Sequence, residues 1–143
     1  MFIKQLSIFV ENKPGRLAAV TKMLKDNGID IRALSIADTK DFGILRLIVN
    51  DTEKASEVLK NADCTVSVTN VVGMCINDKS GALADAMDTL YKANVSVEYM
   101  YAFVTRQADT ACVILRTDSS ERAVEALTEA GYRIATASDI DSL

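Results

Sequence analysis

The chain has 143 residues, of which 49% are hydrophobic and 25% charged, a composition typical of an ordinary globular protein. The net charge of −4 and the scattered basic residues argue against a protein that binds the phosphate backbone of nucleic acids. The chain has no histidine, and its three cysteines form no C-x-x-C motif, so we assign no catalytic residue, no metal ligand and no cofactor.

The first half of the chain predicts a strand, a helix and a hairpin in that order. Residues 3–10 alternate in the period-two pattern of a strand, which Pro14 and Gly15 end. Residues 16–27 place their apolar side chains on one helical face, before a stop signal at Asn27 and Gly28. Two β-branched segments, 29–37 and 44–49, flank a polar loop and are expected to pair antiparallel.

A second helix and a final strand complete this half. Thr52 is expected to cap a short helix that points Ala55 and Leu59 inward, and residues 65–71 return to the strand pattern. The predicted order is therefore β-α-β-β-α-β.

The second half of the chain repeats this order. Residues 12–31 align with 78–97 at an offset of 66, with five identical pairs in twenty, and the register then drifts by two residues. The corresponding strands are 71–76, 95–103, 110–116 and 132–136, and the helices are 82–92 and 121–130, the second with a capping-box-like start at Asp118 and Glu121.

We therefore predict an α+β protein of two tandem ferredoxin-like modules, residues 1–69 and 70–143. Each module is expected to form a four-stranded antiparallel sheet with two helices on one face. The strands are apolar on both faces, for example at Ile44 and Leu45, which predicts that the helix-free face is covered by another module or chain.

The turn between the first strand and first helix is the strongest candidate for a binding site. A glycine at this place, Gly15 or Gly81, lets a ligand approach the N–H groups at the start of a helix, which suit a carboxylate. Asn12 or Asp78 could bind an ammonium group. The alternative is that Asn12 and Asp78 cap their helices and that the glycines only permit the turn.

The sequence IFVENKPGRL at residues 8–17, followed by NGIDI at 27–31, resembles the first half of an ACT domain, the regulatory module of amino-acid metabolism. The second copy, with NDKSGAL at 77–83 and NVSV at 94–97, resembles it more loosely. The resemblance implies two tandem ACT modules over nearly the whole chain. It also implies an amino-acid ligand bound at the interface between paired modules.

The site residues follow from this resemblance by position. Asn12 and Gly15 match the ligand-holding turn of serine-sensing ACT domains, and Asp30 stands where those domains use an amide. Val10 replaces their histidine, and with Ile29 and Ile31 nearby it favours a small or branched aliphatic ligand. Three aromatic residues of the second copy would better suit an aromatic ligand, although they alternate as core residues do: Tyr99, Tyr101 and Phe103. The expected ligand-binding residues are Val10, Asn12, Lys13, Pro14, Gly15, Arg16, Leu17, Asp30 and Ile31 in the first copy, and Asp78, Ser80, Gly81, Ala82 and Ser96 in the second.

The resemblance implies a non-catalytic regulatory protein that binds a small amino acid and modulates a partner enzyme of amino-acid metabolism. A homodimer is expected, without nucleic-acid or membrane partners. A location in the cytoplasm is expected because there is no long apolar run and no signal peptide. Two alternatives remain: a structural adaptor that has lost its ligand, and a small acylphosphatase-like enzyme with the same element order.

Overall fold

A computed structural model describes residues 2–38, 40–105 and 107–142. The chain divides into two compact units. The N-terminal unit is Lys4–Thr69, and the C-terminal unit begins at Asn70 and also includes the first residues of the chain, Phe2 and Ile3. Among the described residues, no helix is both long and apolar enough to span a lipid bilayer.

The N-terminal unit has the predicted β-α-β-β-α-β order. Its strands lie in the order β2-β3-β1-β4, and β1 and β2 both pair antiparallel with β3. The elements are β1 (Ile3–Glu11), α1 (Arg16–Asp26), β2 (Ile31–Asp38), β3 (Phe42–Val49), α2 (Thr52–Asn61) and the first residues of β4 (Thr65–Asn77).

The C-terminal unit repeats that arrangement. Its strand order is β7-β4-β6-β5, with all three pairings antiparallel. The elements after β4 are α3 (Ala82–Lys92), β5 (Val97–Val104), β6 (Thr110–Thr117), α4 (Ser120–Glu129), β7 (Arg133–Ala135) and α5 (Ala137–Asp141). The prediction of two ferredoxin-like modules is confirmed.

The two hydrophobic cores contain matching positions. In the first half of each module the core residues are 66 positions apart, for example Leu24 and Leu90. In the second half they are 68 apart, for example Leu59 and Leu127. The β2–β3 hairpin leaves residues 39–41 outside its strands, whereas the β5–β6 hairpin leaves 105–109, two more. This longer connection accounts for the drift in register that the sequence repeat shows.

Two strands begin two residues later than predicted, because the residues before them form the hydrogen bonds that end the preceding helix. The N–H groups of Gly28 and Ile29 donate to the carbonyls of Lys25 and Leu24. Val95 donates in the same way to Leu90. These bonds satisfy the last carbonyls of α1 and α3, and β2 and β5 start only at Ile31 and Val97.

The predicted N-caps of the second helices are wrong by one residue. Asp51, not Thr52, caps α2, and its carboxylate accepts a hydrogen bond from the Lys54 N–H at 3.1 Å. Ser119, not Asp118, caps α4 through the Arg122 N–H. In each case the capping residue has the extended backbone that an N-cap requires.

The short helix α5 was not predicted from the sequence. It starts with a capping box, in which the Thr136 hydroxyl accepts from the Asp139 N–H while the Asp139 carboxylate accepts from the Thr136 N–H at 2.7 Å. Ile140 is buried, and this helix contacts β7 of the C-terminal unit.

We expect Asp51→Ala to lower the free energy of unfolding by about 1 kcal/mol, because the Lys54 N–H loses its partner. Thr52→Ala is the matched control and is expected to change it by less than about 0.5 kcal/mol. Urea denaturation of both variants measures the difference. Equal losses would contradict the assignment of the cap to Asp51.

The pKa of Asp139 is lowered by the hydrogen bond from the Thr136 N–H, then by the Thr136 hydroxyl, and also by Arg133. A lowered carboxyl pKa means that its contribution to stability is present above the ordinary aspartate pKa of about 3.9 and is lost as the pH falls through the lowered value. We therefore expect α5 to fray only in acid. NMR titration of the Thr136 amide proton should give a midpoint below about 3.9, and this titration should disappear in Asp139→Asn.

Candidate functional site

The turn that follows β1 is held by main-chain hydrogen bonds. The Asn12 N–H donates to the Asp41 carbonyl at 2.9 Å, and the Lys13 N–H donates to the Glu11 carbonyl at 2.9 Å. Gly15 then has a left-handed backbone with φ of 86°, a conformation that glycine adopts without strain. The chain thus reverses from β1 into α1 over a few residues.

The start of α1 has no side-chain cap. Gly15 occupies the N-cap position, and Asn12 directs its amide toward the Lys40 carbonyl at 3.5 Å instead. The alternative that Asn12 caps the helix is therefore wrong, and so is its counterpart for Asp78, since Gly81 is the uncapped N-cap of α3. By contrast, α2, α4 and α5 are each capped by a side chain.

A cavity of about 240 Å³ lies at this turn, within the N-terminal unit. Six of the predicted site residues line it, and they are Val10, Asn12, Lys13, Pro14, Gly15 and Leu17. The apolar side chains of Val10 and Ile36 lie at one part of its wall, and the start of α1 supplies Leu17 and Ala18. The first N–H groups of a helix have no partner within it, so this wall offers donors with partial positive charge.

The two cations of the turn share one carboxylate. Glu11 pairs with Lys13 at 2.9 Å and with Arg16 at 3.7 Å. The hydrogen bond from Lys13, followed by the charges of Lys13 and Arg16, lowers the pKa of Glu11. Glu11 therefore stays ionised at neutral pH and pairs with both cations, which leaves one net positive charge in this group. This charge and the main-chain donors of α1 both attract an anion.

The second turn has the same main-chain geometry although its side chains differ. The Asp78 N–H donates to the Asp109 carbonyl at 2.8 Å, as the Asn12 N–H does to Asp41. Gly81 has φ of 89°, close to that of Gly15. Ser80 in place of proline therefore leaves this turn intact. Ala82, the first residue of α3, is buried, whereas Arg16 at the equivalent position is exposed.

The remaining predicted residues lie elsewhere in their units. Asp30 exchanges hydrogen bonds with Asn50 and pairs with Arg32 at 2.9 Å. Ser96 exchanges the equivalent bonds with Asp118. Asp30 and Ile31 are at the opposite end of β2 from Ile36, and at about 3.3 Å per residue Asp30 is about 20 Å from that cavity residue along the strand.

Arg16 lines a neighbouring cavity of about 270 Å³, together with Val20 and Met23 of α1 and Cys64. Val10 and Glu11 line both this cavity and the one at the turn. Arg16 thus lines the neighbouring cavity, which shares Val10 and Glu11 with the cavity at the turn.

Gly43 and Ile36 belong to the cavity at the turn but were not predicted. Gly43 lies opposite Val10 in the β1–β3 pair, so its missing side chain leaves room beside Val10. A Cβ at this position would meet the Ala37 carbonyl oxygen at 3.5 Å and Val10 Cγ2 at 3.6 Å. The signal in the sequence is a glycine next to a β-branched segment, because such a glycine often marks a place where a ligand or another part of the backbone approaches closely. The equivalent pair in the C-terminal unit is Ile76 and Ala111.

The structure groups no three or more Cys, Asp or Glu side chains that could hold a metal ion, within the residues that it describes. The turn therefore offers main-chain donors, one amide and an apolar wall. Such a set, beside the Glu11–Lys13 ion pair, can bind a small zwitterion.

A family model and several solved structures match this chain. A family model described as the ACT domain pair matches residues 1–142. The crystal structure of protein BT0572 from Bacteroides thetaiotaomicron is 42% identical, with a TM-score of 0.94, and the match covers 100% of this chain and 98% of that one. A search of curated proteins finds no match.

More distant structures share the fold. The regulatory subunit of aspartate kinase from Thermus thermophilus, in its ligand-free form, is 15% identical with a TM-score of 0.63, and the match covers 90% of this chain and 91% of that one. An aspartate kinase from Clostridium acetobutylicum is 14% identical with a TM-score of 0.52, and the match covers 89% of this chain but 32% of that one. With the family match over nearly its whole length, the chain belongs to the ACT domain pair family.

Proposed function

We propose that this protein is a non-catalytic regulator that binds a small aliphatic amino acid at the turn between β1 and α1. The observation that carries the proposal is the cavity of about 240 Å³ in which the uncapped start of α1 faces an apolar wall. An α-amino acid has the matching chemistry, an anionic carboxylate next to an apolar side chain.

The carboxylate would lie against the N–H groups of Leu17 and Ala18. Helix starts attract anions through their unpaired donors and the helix dipole. Side chains occupy this place in α2, α4 and α5, whereas α1 leaves it open. The Asn12 side-chain oxygen is the group of the turn that would accept a hydrogen bond from the ammonium.

The side chain of the ligand would lie against Val10, Ile36 and the open space above Gly43. This part of the wall has no charged group to pair with an acidic or basic side chain, and Glu11 and Lys13, which also line the cavity, pair with each other. We therefore infer a ligand such as alanine, valine, threonine or another small amino acid.

A regulatory role is supported by membership of the ACT domain pair family and by the shared fold with a regulatory subunit of aspartate kinase. The partner proposed here is an enzyme of amino-acid metabolism whose activity depends on the occupancy of the turn. An acylphosphatase-like reaction has less support, since the cations of the turn, Lys13 and Arg16, are paired with Glu11.

A second copy of the chain is proposed as the assembly partner. Large apolar side chains are exposed on β2 and at the start of α1, with Leu34 57%, Ile36 45% and Leu17 42% accessible. The C-terminal unit exposes the corresponding Met100 and Leu83. Apolar side chains grouped in this way are typical of surfaces that are covered in an assembly.

A thermal-shift screen of the full chain against the twenty amino acids tests the ligand. A ligand that binds only the folded state stabilises it by about 2.7 kcal/mol at about 100 times its Kd. We expect one or more small aliphatic amino acids to raise the Tm, and Gly43→Val to abolish that rise because its side chain fills the cavity.

Ala111→Val is the matched control, because Ala111 is the equivalent of Gly43 in the C-terminal unit. It should keep the ligand-induced rise in Tm. Gly15→Val is a poorer test than Gly43→Val. A β-branched residue at φ of 86° is strained, so loss of binding would not be separable from loss of stability. No shift with any amino acid would favour the adaptor alternative.

Leu34→Lys is expected to convert a dimer into a monomer, because it places a charge in the exposed apolar group on β2. Light scattering of the wild-type chain should give twice the chain mass, and that of the variant the single mass. Lys54→Ala, at an exposed position on α2, serves as the surface control. A wild-type monomer at micromolar concentration would refute the dimer.

A further inference from the structure

Two cysteines face each other across neighbouring strands of the C-terminal unit. Cys75 on β4 lies directly opposite Cys112 on β6, and the Cys75 thiol is close enough to contribute to the raised pKa of Cys112. Opposed residues of an antiparallel pair have Cα atoms about 4.5–5.5 Å apart. Disulfides span Cα separations of about 4.4–6.8 Å, so the backbone already has the spacing that a bond between them needs.

The two thiols differ in access. A cavity of about 260 Å³ borders both, together with Arg133, Asp139 and Ile140. Cys75 is half-buried, whereas Cys112 is 2% exposed. A small reagent that enters this cavity therefore reaches Cys75 more readily.

Arg133 lies on the other side of Cys75. It is the partner of Cys75 in the β4–β7 pair, so Cys112, Cys75 and Arg133 form a row on one face of three adjacent strands. The pKa of Arg133 is raised, first by its hydrogen bond to Asp139 and next by its charge interaction with Cys75. The guanidinium is thus close enough to Cys75 to interact with its charged form.

Burial, with a smaller effect of Cys75, raises the pKa of Cys112 to about 12. Cys112 therefore remains a protonated thiol at neutral pH. Reaction of a thiol with an oxidant proceeds through the thiolate. The greater access of Cys75 and the protonated state of the buried Cys112 assign the first reaction to Cys75 and the second to Cys112.

We propose that Cys75 and Cys112 form a reversible oxidation site for hydrogen peroxide. The Cys75 thiolate attacks one peroxide oxygen and the O–O bond breaks, which gives a sulfenic acid at Cys75 and, with the thiol proton, one water. The Cys112 sulfur then attacks the Cys75 sulfur and the S–O bond breaks. The proton of Cys112 leaves with the hydroxide as a second water. Two thiols and one peroxide thus give one disulfide and two waters.

The third cysteine supplies the control. Cys64 belongs to the N-terminal unit, where it packs against the core around Leu59. It has no cysteine among its strand partners, since its position precedes β4. It should not contribute to the oxidised product.

The test uses the full chain carrying Cys64→Ser, treated with one equivalent of hydrogen peroxide. We expect both free thiols to disappear and the chain mass to fall by two hydrogen atoms. Tryptic peptide 61–79 should be joined to peptide 107–116. Dithiothreitol should restore both thiols, and the oxidised chain should have the higher Tm, because the disulfide limits the unfolded state.

The variant Cys64→Ser with Cys75→Ser tests the assigned order of reaction. Its remaining thiol, Cys112, should resist both peroxide and alkylation in the folded chain and react in urea. Circular dichroism checks that this variant is folded. The proposal is overturned if Cys75 and Cys112 both stay reduced, if Cys75 accumulates as a sulfinic acid while Cys112 remains free, or if the disulfide joins two chains.

Discussion

The left-handed backbone at Gly15 governs the geometry of the candidate site. With φ of 86° at this residue, the chain turns from β1 into α1 without a side chain at the helix start. A residue with a Cβ would be strained there, and a capping side chain would occupy the donors of the first turn. The open donors at the start of α1 follow from this single torsion angle, and the side chains that line the cavity are arranged around them.

Much of the fold could be predicted from the sequence because each element carries its own periodicity. The helix faces that end in Leu24 and Leu59 recur in Leu90 and Leu127, and these residues lie in the two cores. Helix ends were less predictable. Asp51 and Thr52 are both good caps by type, and the choice between them depends on backbone angles that composition does not encode. Helix α5 has only 5 residues, which is too few for a helical pattern of apolar residues to be recognised.

The candidate site could be predicted only where its residues are close in sequence. Residues 10–17 line one cavity because they form a continuous turn. Gly43 and Ile36 enter the same cavity through strand register, which places Gly43 opposite Val10. Register depends on the pairing of distant segments, so no local pattern reveals it. Asp30 and Ile31 are separated from Ile36 by most of the length of β2. A resemblance in sequence motifs gives the order of residues but not this distance.

The two turns share their hydrogen bonds and their left-handed glycines but not their side chains. Pro14 corresponds to Ser80, Asn12 to Asp78, and Gly43 to Ala111. The glycine and the main-chain bonds are thus sufficient to keep the turn, whereas the surrounding side chains are free to change without loss of the fold. A main chain that holds the turn by itself lets the two halves of a duplicated module diverge in sequence and still keep one fold.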